Sequence, residues 1–192
     1  LCRQAHTLVI FKSLHEVPVF EKLLETLAVC ESDSDMAIEK YSDFVAELFA
    51  YSDNLTEYML KLVLENENLF MLKKGEGKET GALLEECLAN ELAVIEELSQ
   101  IPSDEIISKI DYDGFLPRYA TQKLDFSQIY ADRIHAIGQY GYGIYSQYHV
   151  FVIKDGKIVP VEYPDDIKLS DLHNYERERQ EVINNTLALL KG

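Results

Sequence analysis

A chain of 192 residues has room for one domain, or for two small ones sharing a core, and 47% hydrophobic with 10% aromatic residues supplies the material for that core. Acidic residues outnumber basic ones 34 to 18, a formal charge of −16, and 22 of the acids but only nine of the bases fall in residues 1–110. A surface of that sign repels phosphate backbones, so nucleic acid is not an expected partner, and the apolar content excludes disorder along the whole chain.

Residues 3–14, RQAHTLVIFKSL, are apolar on most faces and read as a helix packed well into the core. Pro18 then suits the first turn of a second helix, which carries Phe20, Leu23, Leu24, Leu27 and Ala28 on one face. The polar ESDSD separates it from a third, with Ile38, Tyr41, Val45, Leu48 and Phe49 as its stripe. Asn54 with Glu57 resembles a capping box and opens a fourth helix through LTEYMLKLVLENENLFML. The loop KKGEGKETG precedes ALLEECLANELAVIEELSQ, the last long helix, which stops before Pro102. Helical hairpins with short polar loops are the expected arrangement over residues 1–110.

From Asp111 glycine, tyrosine and β-branched residues replace the helix formers, and residues 111–163 read as a glycine- and tyrosine-rich β element. Asp155-Gly156, flanked by lysines between Ile153 and Ile158, predicts a two-residue type I′ turn joining antiparallel strands. Pro160 cannot donate to a ladder, so the second strand is an edge or ends there. So small a β unit needs helices to lean on. After a turn-rich connector, Tyr175 to Leu190 reads as a closing amphipathic helix with Tyr175, Arg179, Val182, Ile183, Thr186, Leu187 and Leu190 along one stripe. Ser170 or Asp171 can cap it, and the acids early with Lys191 late match its dipole. The expected fold class is α+β, mainly α: an N-terminal helical bundle, a small antiparallel β-hairpin element and a C-terminal segment over 164–192 that ends in a helix.

Few residues carry a chemical signature. Gly77-Lys78 with Thr80 is half of a phosphate loop, but that motif needs glycine where Leu72 stands and Ser or Thr where Glu79 stands, so a solvated turn is the better reading. His6, His15 and His149 lack a second ligand at metal spacing, and Asp111-Tyr112-Asp113-Gly114 starts like a calcium loop without its later ligands. The acidic pairs Glu85-Glu86 and Glu96-Glu97 fit the outer face of an amphipathic helix. Tyr140, Tyr142, Tyr145 and Tyr148, among glycines, either cover the entry to the hairpin or form a docking surface for a protein partner. Cys2, Cys30 and Cys87 are odd in number and widely spaced, which leads us to expect a reducing, cytoplasmic setting. No apolar run approaches bilayer-spanning length, so no membrane partner is expected.

Residues 138–192 resemble the segment just upstream of the ATP site in a bacterial family of AAA+ proteins classed as a domain of unknown function. The likeness rests on Pro164-Asp165, Leu172, Tyr175-Glu176, Gln180 and Asn185-Thr186, after the hairpin. HTLVIFKSL and ELAVIEEL also look like the helical N-terminal region of that family. The resemblance implies that the chain is part of a longer protein, with a downstream AAA+ core in cis that binds ATP and Mg. By position it gives the adenine side to Leu172, His173, Asn174 and Tyr175, with Asn174 standing where the family often has glycine. No cofactor, metal or catalytic residue is expected in this fragment, whose role would be recognition of a protein partner or substrate, or assembly. The competing expectation is a self-contained acidic helical adaptor unrelated to nucleotide, its tyrosine-rich hairpin docking onto a protein.

Overall fold

The computed structural model describes residues 1–32, 34–137, 148, 150–154, 156–161, 163–165, 171 and 175–191, with only the backbone of Lys157 and 189–191. The fold is α+β and mainly α, and it divides into two units, Leu1–Gln147 and Tyr148–Gly192. The first contains α1 (Cys2–Ala5), a 3-10 turn (Lys12–Glu16), α2 (Pro18–Val29), α3 (Ser34–Phe49), α4 (Leu55–Glu65), α5 (Leu69–Gly75), α6 (Ala82–Ser99), α7 (Ser103–Ile107) and α8 (Phe126–His135). The second contains β1 (Phe151–Lys154), β2 (Lys157–Pro160) and α9 (Glu176–Lys191).

In the first unit α2 packs along α3, and α6 lies against α1, α4 and α8. Pro18 occupies the first turn of α2, where its missing N–H costs nothing. Phe20, Leu23 and Leu24 are buried as their spacing predicts, but Ala28 is exposed and Thr26 takes the inward place. The Thr26 hydroxyl meets its own need by donating 2.8 Å to the Lys22 carbonyl. On α3 the inward stripe runs through Ala37, Tyr41, Phe44, Val45 and Leu48, leaving Phe49 exposed. Positions 41, 44, 45 and 48 complete a helical face, whereas 49 has rotated off it.

Residues 3–14 do not form one helix. After α1 the chain leaves helical geometry, and the N–H groups of Val9, Ile10 and Phe11 turn to the carboxylate of Glu91 on α6. Oε1 accepts from Val9 at 2.8 Å and Ile10 at 3.1 Å, while Oε2 accepts from Ile10 and Phe11, each at 3.0 Å. Thr7, Val9 and Ile10 are β-branched and weak helix formers, so a charged acceptor outcompetes the helical carbonyls there. The result drives Phe11 into the core, where its ring meets Tyr130 edge-on at 5.8 Å.

The stretch 55–72 also divides in two. Asn54 caps α4 by accepting the Glu57 N–H at 3.2 Å, as its spacing predicts, but Asn66 to Asn68 interrupts the helix. Asn68 starts α5 by accepting the Met71 N–H at 3.0 Å and donates to the Tyr130 hydroxyl at 3.1 Å. Asparagine favours such local bonds over helix continuation.

The change of texture at Asp111 leaves the first unit intact. Residues 116–125 run as an extended strap beside α4: Ala120 donates to the Asp53 carbonyl at 2.8 Å, and its own carbonyl accepts from Leu55 at 2.9 Å. Thr56, fully buried, donates to the Ser99 carbonyl and accepts from the Gln122 N–H. The strap leads to α8, which begins where Asp125 accepts the Gln128 N–H and Glu96 accepts the Phe126 N–H, both at 2.8 Å. Glu96 therefore does not face solvent as its acidic pair suggests, but is half-buried and caps a neighbouring helix.

In the second unit β1 and β2 pair antiparallel with Ile153 opposite Ile158 and Lys154 opposite Lys157. Gly156 has φ 74°, the left-handed conformation the turn requires, while Asp155 lies outside the described residues. The second strand ends at Pro160, as a residue without an N–H predicts.

Glu91→Ala should lower stability by about 3 kcal/mol, because the Ile10 and Phe11 donors would be left buried without an acceptor. Urea unfolding checks this, with Glu91→Gln costing less since one oxygen remains; wild-type stability in both variants would show that water replaces the carboxylate. Gly156→Ala should cost the hairpin about 1 kcal/mol for a left-handed alanine, read from cross-strand contacts by NMR.

Candidate functional site

The sequence places its site candidates beyond residue 138. Tyr140, Tyr142 and Tyr145, and Leu172, His173 and Asn174, lie outside the described residues. Tyr148 is half-buried and precedes β1. Tyr175 is exposed, and its carbonyl accepts the Arg179 N–H at 2.9 Å, which makes it the residue on which α9 starts.

The partial phosphate-loop sequence does not fit a nucleotide. Thr80 donates its hydroxyl to Glu85 at 2.6 Å and Lys78 pairs with Glu76 at 2.6 Å, so the two groups such a loop would offer to phosphate and metal are held by carboxylates. Gly77, at φ 68°, makes an ordinary turn after α5. His6 and His15 stack with their rings 5.7 Å apart, and the His15 Nε2 lies 3.0 Å from the Ala5 carbonyl. Among the described residues no group of three His, Cys, Asp or Glu is placed to hold a metal ion. At Asp111 to Gly114 the Tyr112 ring lies directly against Gly114, where a side chain would collide with it. Cys2, Cys30 and Cys87 are free thiols, and burial pushes the Cys30 thiol up. No helix among the described residues is long and apolar enough to cross a membrane.

Each unit has a surface with apolar area open to solvent. One is a groove of about 280 Å³ between α5, α6 and α8, floored by Phe70, Leu92 and Tyr130 and walled by Leu88 and Ile134. Lys74 and Glu85 stand at its rim 3.9 Å apart, and the Lys74 ammonium lies 5.4 Å from the centre of the Phe70 ring. His135 directs Nδ1 to the Ala131 carbonyl at 2.8 Å, which leaves Nε2 open to a ligand. The groove combines apolar area with a few polar groups, the composition common to sites that bind small molecules or side chains.

The other surface is in the second unit. Ile153 is 81% exposed and Ile158 opposite it 52%. On α9, Val182, Ile183 and Leu187 are 51%, 36% and 46% exposed. Ile183 and Leu187, four residues apart, share one helical face, and Val182 borders it with Thr186 four residues further on.

Sequence reasoning missed the groove because it missed α8. Its signal was present: Asp125 followed three residues later by Gln128 is a capping pattern, ahead of Ile129, Tyr130 and Ile134. The burial of Glu91 had no comparable signal, since an acid on an amphipathic helix ordinarily faces water. The chain matches no protein-family model, no curated protein and no solved structure.

Burial pushes the Tyr130 phenol up to about 12, against the opposing effect of the Asn68 donor. Burial also pushes the Tyr41 phenol up to about 12, with the Asp104 carboxylate adding to it, and raises Tyr119 further. Each folded value lies above the ordinary one near 10 for an unfolded chain. The stability that these neutral phenols contribute is therefore complete below about pH 10 and is lost as pH rises towards about 12, where only the unfolded state ionises readily. Absorbance at 295 nm should show these three tyrosines titrating late and together with unfolding. Their ionisation near pH 10 in the folded protein would contradict the burial argument.

Proposed function

We propose that this chain is the non-catalytic, partner-recognising N-terminal region of a bacterial AAA+ ATPase, with ATP and Mg bound by a core outside these residues. The observation that carries the reading is the apolar face of α9. Val182, Ile183 and Leu187 form a stripe that a stable helix ordinarily buries, and here it is in solvent together with Thr186. A lead-in helix that packs on a following core would have such a face. The sequence likeness over 138–192 supplies the identity of that core, and on this reading Leu172, His173, Asn174 and Tyr175 stand on its adenine side. Within the described residues the Lys78 ammonium pairs with Glu76 and the Thr80 hydroxyl donates to Glu85.

Recognition then falls to the first unit and the hairpin. The acidic surface and the groove between α5, α6 and α8 favour a protein partner over a polyanion. Tyr140, Tyr142, Tyr145 and Tyr148 would contribute aromatic contacts to that partner.

Three measurements test the proposal. Calorimetric titration of this chain with ATP and Mg should give no binding heat, and tight binding would overturn the assignment of nucleotide to another region. The reading frame beyond Gly192 should encode a strand and then G-x-x-x-x-G-K-[ST]; an unrelated continuation or a stop would leave the self-contained acidic adaptor instead. Leu187→Ser should change the stability of this chain by less than about 0.5 kcal/mol, as expected for an exposed side chain. In the full-length protein the same substitution should cost about 1–3 kcal/mol by removing a buried leucine contact.

A further inference from the structure

We draw no further inference here: the strongest candidate, the apolar groove between α5, α6 and α8, has its rim ammonium Lys74 already engaged by Glu85 and the Phe70 ring, and nothing in the structure shows what covers it.

Discussion

Among the described residues Glu91 is the one charged side chain that is buried, and the turn of the chain through residues 9–11 depends on it. Placing a carboxylate inside a protein is costly unless its oxygens are fully used. Here both oxygens accept two bonds, from three successive backbone donors that the chain presents only because it has left the helix. Cost and compensation are thus linked: the donors would be orphaned without Glu91, and Glu91 would be an unpaired buried charge without them. One consequence is positional, since Phe11 follows this turn into the core against Tyr130, which itself floors the groove.

The same device recurs along α4 and α6. Thr56 joins the Ser99 carbonyl to the Gln122 N–H, Glu96 receives Phe126, and the Tyr119 and Tyr41 hydroxyls close on the Ile101 and Pro117 carbonyls. Thr56, Tyr41 and Tyr119 fasten the extended strap to α4, to α3 and to the Ile101 carbonyl after α6, while Glu96 fastens the start of α8 to α6. A strap without regular hydrogen bonds of its own has to satisfy its backbone in this way when it crosses a core. It thereby delivers α8 to the side of α6 and creates the groove.

The two units differ in how they meet the requirement to bury apolar surface. The first encloses large side chains such as Phe20, Phe44 and Phe126 completely. In the second, the hairpin and α9 leave isoleucine, valine and leucine in water. A two-stranded sheet of four-residue strands has too little area to be stable unsupported. This contrast is the observation behind the proposal that α9 packs on a following core.

Much of the local structure was legible in the sequence by itself. Pro18, the Asn54 cap, the hairpin register around Gly156 and the end of β2 at Pro160 follow from backbone constraints carried by single residues or adjacent pairs. The helical stripes of α2 and α3 were legible to within a residue, because periodicity fixes a face but not its edges, as Ala28 and Phe49 show. Tertiary structure alone decided that 3–14 would leave the helix, that Glu91 and Glu96 would turn inward, and that the strap and α8 would join the helical unit. Those outcomes depend on a donor and an acceptor separated by tens of residues, and neither partner differs in sequence from a residue that faces water.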